Sequence, residues 1–400
     1  MIKMTDRKNK LWLFSLPVVV AVLLVGSCGN GQQDHSRPLP VIDQILGDST
    51  SQDYIDPSVY NVEMDMLPIG IFGTSADDLQ MAETLLGLDE HDNITGMSGA
   101  DGIKDFAGEH IEFVYAPPAA DSARIDMIRT IAGLFRWNDE RPPVKALVIA
   151  SDRASVEVWN DLQDLVRLGK LKVHTFSVLQ AGINKALEYA RTYHHDRNKR
   201  ISVGVIAPAG TFQMKAYDRL TENVSLALQV FSSDTMPSLI HPRFKIDREL
   251  IKAYHFDYRA GGMTYRGSRF NPSQMEVNSI ENAVRYAVTS LVEQLLKGSH
   301  QQLKYIILGD NILPNYKEVI LESLTVLRNF RKDDRYIYRH IIDPEVILIE
   351  PHREAAIQLY RSLREARLAA FRTTPSCIRI YAPEKPELTK YPLLHVYINN

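Results

Sequence analysis

From Leu67 onward the sequence alternates short apolar runs with segments whose apolar residues recur every three or four positions. That alternation restricts the chain to βαβ units, in which parallel strands are joined by helices. Leu67-Pro-Ile-Gly-Ile-Phe-Gly73 and His110-Ile-Glu-Phe-Val-Tyr-Ala116 read as strands. Val144-Lys-Ala-Leu-Val-Ile-Ala150 reads as a third, nearly all apolar as a strand covered on both faces must be. The intervening helices are expected over Asp77 to Leu86, along Ile125, Ile128, Ile131, Ala132 and Phe135, and along Val156, Trp159, Leu162, Leu165 and Val166. Leu171 to Val178 supplies a fourth strand.

A polar run, His194-His195-Asp196-Arg197-Asn198-Lys199-Arg200, separates this series from a second, which opens with Ile201-Ser-Val-Gly-Val-Ile-Ala207. Helix 277–297 leads through Gly298 into strand Tyr305-Ile-Ile-Leu308, and helix 314–328 leads to Val346-Ile-Leu-Ile-Glu350. Helix 353–371 and strand Ile378-Arg-Ile-Tyr381 close the series. At 400 residues, with 45% hydrophobic and 24% charged side chains, the chain has globular composition and room for two such lobes. A formal net charge of −3 leaves no electrostatic footprint for nucleic acid.

The N-terminus has a different character. Lys3, Arg7, Lys8 and Lys10 precede an apolar stretch from Leu11 to Val25, and Val25-Gly26-Ser27-Cys28 follows. Fifteen residues reach about 22 Å as a helix against about 30 Å of hydrocarbon, so the stretch reads as a secretory signal rather than a span. The four residues ending at Cys28 resemble the lipobox of bacterial lipoproteins, with Val25 where Leu is most often found. That resemblance implies cleavage before Cys28, lipidation of its side chain, and attachment to a membrane of the bacterial cell envelope, periplasmic or outer face. Losing four basic side chains and Asp6 leaves 42 basic and 48 acidic ones, from totals of 46 and 49. With Cys28 acylated, Cys377 is the second of only two cysteines, which excludes an intrachain disulfide and a thiolate metal site. The expected divisions are a signal peptide over 1–27, a tether over 28–62, an N-terminal lobe over 63–200, a C-terminal lobe with crossover strands over 201–385, and a tail strand over 386–400.

The lipobox, the tether, the opening strand Ile69-Gly-Ile-Phe-Gly-Thr74 and the second opener Ser202-Val-Gly-Val-Ile-Ala-Pro208 together resemble type I periplasmic binding proteins. Lys304-Tyr-Ile-Ile-Leu-Gly-Asp310 and Arg353-Glu-Ala-Ala-Ile-Gln-Leu-Tyr360 are similar to that family's late strand-helix unit and final helix. The match covers about residues 65–385 and is one of pattern, with residues 231–275 departing most. It implies an α/β fold of two doubly wound parallel-sheet lobes, with a ligand held in the interlobe cleft.

Physical reasoning points to the same place, because ligands of open parallel sheets bind beyond the carboxyl ends of the strands, near helix N-termini. Thr74, Ser75 and Asp77 follow the first strand, Ser151, Asp152 and Arg153 the third, Thr211 and Gln213 the second opener, and Asp310 and Asn311 the late strand. Each Ser, Thr, Asp or Asn alone is an ordinary helix cap. Arg153 is the exception, since a cap needs no guanidinium. The stretch 254–270 adds Tyr258, Arg259, Tyr265 and Arg266, which suit stacking on a planar or sugar ring and pairing with an anion. Its ordinary reading is an irregular insertion packed on its own lobe. His194-His195 reads as a solvated helix end rather than a metal site. Gly70-Ile-Phe-Gly73 lacks the spacing of a dinucleotide fingerprint, and no Walker, G-x-S-x-G or H-E-x-x-H sequence occurs, so no cofactor or metal is expected.

The expectation is therefore a membrane-anchored solute-binding lipoprotein without catalytic activity. It would hold a small polar ligand for uptake or sensing and hand it to a transporter or sensor membrane protein. The expected ligand-binding residues are Thr74, Ser75, Asp152, Arg153, Thr211, Tyr258, Arg259, Tyr265, Arg266 and Asp310, with Cys28 lipidated. Two alternatives stand beside it: an exported α/β enzyme drawing on Asp152 and His174, and an envelope scaffold binding a protein. Carboxylates facing one another in the cleft favour the enzyme, and a filled cleft favours the scaffold.

Overall fold

A computed structural model describes residues 38–116, 123–138, 141–193, 201–207, 217, 228–232, 244–245, 263–268, 271–277, 279–298, 302–370, 376–383 and 388–394. Cys28 lies outside them. The described chain opens with helix α1 (Pro40–Gly47), followed by strand β1 (Ile69–Gly73), α2 (Gln80–Gly87), β2 (His110–Tyr115), α3 (Ala123–Gly133) and β3 (Ala146–Ile149). Next come α4 (Asp152–Glu157), α5 (Trp159–Leu168), β4 (His174–Ser177) and the long α6 (Val178–Tyr193). The later strands are β5 (Ile201–Ile206), β6 (Leu228–Ser232), β7 (Phe244–Lys245), β8 (Met263–Ser268) and β9 (Asn271–Val277). Helix α7 (Ile280–Gly298) leads to β10 (Leu303–Leu308) and α8 (Lys317–Asn329), then a hairpin of β11 (Arg331–Lys332) and β12 (Arg335–Tyr336). Strand β13 (Ile342–Ile349), helix α9 (Pro351–Glu365) and β14 (Cys377–Tyr381) complete the main elements.

Two parallel sheets carry the fold. The first runs β14-β2-β1-β3-β4 and the second β13-β10-β5-β6, with every pairing in both parallel. Strands β7, β8 and β9 form a separate antiparallel sheet. The α/β class with parallel sheets is thus as the apolar alternation implies.

The first sheet is covered on both faces, which explains why β1 and β3 are apolar at every second and every intervening position. Ile69, Ile71, Ala146 and Val148 pack with Leu85 of α2, Ala181 of α6 and Leu359 of α9. Phe72, Leu147 and Ile149 pack on the other side with Ile42 of α1, Ile128 of α3 and Leu162 of α5. Each fully buried Ile or Phe is worth roughly 1.5–3 kcal/mol, so the two cores rather than helix propensity hold the lobe. In the second sheet, Ile306 and Leu308 pack with Leu291 of α7 and Leu324 of α8, while Val203, Val205 and Tyr305 meet Leu179, Ile183 and Ala186 of α6. Helix α6 therefore serves both sheets.

Two expected boundaries shift. Residues 40–60, placed in the tether, bury Val41, Ile42, Ile45, Ile55 and Tyr60 in the first lobe, because the apolar spacing in α1 gives that short helix one face for α3 and α5. Strand β14, counted with the C-terminal lobe, pairs with β2 at the edge of the first sheet. Its partner strand leaves that edge open, and the chain returns through α9 to cover it.

Candidate functional site

The carboxyl ends of both sheets open onto one cavity of about 770 Å³. At the end of β1, Thr74 and Ser75 lead into a tight turn over Ala76–Leu79. Asp78 in that turn reaches back, and its Oδ2 accepts the backbone N–H groups of Thr74 at 2.8 Å and Ser75 at 3.0 Å. Gly73 must lack a side chain, since a Cβ there would lie 2.7 Å from the Asp78 Cβ. Burial drives the Asp78 carboxyl up to about 6, against the two hydrogen bonds and helped by the neighbouring charge of Asp77.

Beside it, β3 delivers Ser151, whose Oγ accepts the Ala154 N–H as the cap of α4 and lies 2.5 Å from Thr74 Oγ1. The two hydroxyls join the adjacent strand ends. Asp152 and Arg153 occupy the first turn of α4 and also border the cavity. The Arg153 Nε, however, donates to Glu157 Oε1 at 2.9 Å, one turn along the same helix.

The second sheet contributes Asp310 from the end of β10. Its Oδ1 accepts the Ile312 N–H at 2.8 Å, and burial, reinforced by the charge of Asp77, raises its carboxyl above the ordinary range. Asn311 Nδ2 donates to the Asp77 carbonyl at 2.9 Å, tying the segment after β10 to the segment after β1. Gly309 donates its N–H to Ile206 at 2.7 Å, and a Cβ there would meet the Tyr217 hydroxyl at 2.6 Å. The end of β13 adds His352 in the first turn of α9.

Of the expected ligand-binding residues, Thr74, Ser75, Asp152, Arg153 and Asp310 thus share one cavity. Thr211, Tyr258 and Arg259 lie outside the described residues. Tyr265 and Arg266 fall on β8, opposite Met275 and Gln274 of β9, and their side chains are likewise outside the description. His174 does not join Asp152: its Nδ1 pairs with Ser362 Oγ of α9 at 2.8 Å, because it stands at the start of β4 rather than its end. Asp78 and His352 escape sequence reasoning. Asp78 sits three residues into a turn, where a carboxylate is ordinarily a cap, and only its burial distinguishes it. Among the described residues, no group of three or more His, Cys, Asp or Glu is arranged to hold a metal ion.

No family model matches the sequence, and no curated protein does. Solved structures do match. The glutamate racemase of Francisella tularensis, in complex with D-glutamate, is 17% identical over 84% of this chain and 96% of that one, with a TM-score of 0.47. A glutamate racemase isoform of Bacillus anthracis is 16% identical over 84% and 97%, with a TM-score of 0.48. That of Thermus thermophilus is 17% identical over 84% and 97%, with a TM-score of 0.45.

These findings correct two expectations. The structures that the chain resembles are glutamate racemases and not type I periplasmic binding proteins. The expectation of a solute carrier without catalysis gives way with it, since these matching structures are all of glutamate racemases. Carboxyl groups from both sheets, Asp78 and Asp310, border the one cavity. The apolar alternation specifies parallel α/β layers, which several families share, so pattern alone does not select among them.

Proposed function

We propose that the protein is an enzyme that moves protons on a small polar substrate held in this cleft, with Asp78 and Asp310 as the proton-carrying groups. One observation carries the reading: two carboxyls from the ends of two different sheets border one cavity, and burial raises both above the ordinary carboxylate value, Asp78 to about 6. The base form of one carboxyl takes a proton from the substrate while the acid form of the other returns one. The two exchange roles in the reverse direction, so protons balance over a turnover. Thr74, Ser75, Ser151 and Asn311 supply the hydrogen-bonding wall that orients the substrate between them.

Incubation in D₂O with a panel of L- and D-amino acids and 2-hydroxy acids tests this. Deuterium enters one panel member at carbon, and Asp310→Asn lowers that rate by roughly 10²–10⁴, the usual worth of a general acid or base. Exchange unchanged in both Asp310→Asn and Asp78→Asn rejects the assignment. Attachment to a membrane through a lipid on Cys28 belongs to the same proposal and rests on the lipobox resemblance. Among the described residues, no helix is long and apolar enough to cross a membrane.

A further inference from the structure

The acid–base reading leaves His352 without a task. Its side chain is 8% exposed, and its Nε2 is buried with no hydrogen-bond partner among the described residues. Burial holds the ring neutral by lowering it to about 4. A buried polar atom left unpaired costs about 1–3 kcal/mol, and an apolar side chain of similar shape would avoid that cost. Hydrogen bonding at Nε2 therefore gives the fold no reason for an imidazole here.

The placement of His352 shows what it can serve. It stands in the first turn of α9, a helix of 15 residues that begins with Pro351, and the leading N–H groups of a helix have no partner within it. The ring borders the 770 Å³ cavity and also a second one of about 410 Å³, and Gln80 borders both as well. Three acidic side chains near this helix start are already matched with cations. Glu350 pairs with Lys317 at 2.8 Å, Glu90 with Arg353 at 2.6 Å, and Glu354 lies 3.7 Å from Lys185. What remains is a neutral N–H donor beside the positive end of a helix dipole, the combination that suits an anion.

We propose that His352 and the first turn of α9 form a seat for an oxyanion, a carboxylate or a phosphate group of the ligand, at the junction of the two cavities. The proposal rests on the acid–base reading only in taking the cleft as the place where the substrate binds. It makes the substrate an acid whose charged group sits at the end of β13, next to the strand end of β10 that carries Asp310.

The test uses the full chain in detergent, labelled with ¹⁵N-histidine, and titrates it separately with acetate and with inorganic phosphate at pH 7. The His352 ring signal is assigned by its loss in His352→Phe. One of the two ions should displace that signal saturably, and which one does so distinguishes a carboxylate from a phosphate seat. Calorimetry of the same ion should show binding weakened about tenfold in His352→Phe, a loss of about 1.4 kcal/mol, with a melting temperature no lower than that of the parent. His352→Gln, which keeps a donor, should retain binding. If neither ion moves the signal, if His352→Phe binds as tightly as the parent, or if it melts well below it, the seat is refuted. Because this readout needs no turnover, it fails or succeeds independently of the deuterium exchange that tests the acid–base reading.

Discussion

Asp78 carries the clearest conflict between stability and chemistry. Its carboxyl accepts two backbone N–H groups, yet burial outweighs them and leaves it near 6 rather than 3.8. A carboxyl raised in the folded state contributes fully to stability below about pH 4, and that contribution is lost as the pH rises through 6. A rise from 3.8 to about 6 corresponds to about 3 kcal/mol. Asp78→Asn keeps an oxygen for the same N–H groups and carries no charge, so it should stabilise the protein at pH 7 by up to about 3 kcal/mol, with the gain shrinking toward pH 4. Urea midpoints at the two pH values measure this, and a variant less stable than the parent at pH 7 contradicts burial as the cause. His352 has the opposite sign. Its ring, held near 4 by burial, weakens folding as the pH falls below 6.5, so His352→Phe should gain stability relative to the parent between pH 7 and pH 5.

At the scale of elements, the contact of β5 with α7 shows why the second opener contains a glycine. A Cβ at Gly204 would lie 2.7 Å from Leu291 Cδ2 and 3.1 Å from Leu303 Cδ1, both fully buried side chains in a closed core. Gly204→Ala should therefore cost roughly 1–3 kcal/mol through overpacking, read as a lowered urea midpoint. No loss would mean that the helix has room to move. The strands β1, β3, β5 and β10 were legible because sheets covered on both faces demand uninterrupted apolar runs. The return of β14 to the first sheet was not, since Cys377-Ile-Arg-Ile-Tyr carries no signal of which parallel edge it joins. Nor was α1, whose Val41, Ile42 and Ile45 are too few among polar neighbours to outweigh a tether composition.

For the molecule as a whole, the site exists because α6 packs on both sheets and brings their carboxyl ends to one cavity. Thr74, Ser75, Asp152 and Asp310 were legible because strand ends in parallel sheets are where polar side chains gather for ligands. The raised carboxyls of Asp78 and Asp310 were not, because the shift depends on burial that only the assembled sheets create. The proposed anchor belongs to this scale too: Cys28→Ser should move the protein out of the membrane fraction, and unchanged fractionation with an intact mature N-terminus would contradict lipidation at that residue. The proposed chemistry needs two cleft carboxyls raised by burial, and their titration tests it most directly. In protein labelled with ¹³C at aspartate carboxyls, assigned through Asp78→Asn and Asp310→Asn, the Asp78 signal should titrate with a midpoint near 6 and that of Asp310 above the ordinary 3.8. Both midpoints at or below 3.8 would leave the cleft with two ordinary carboxylates and contradict the account.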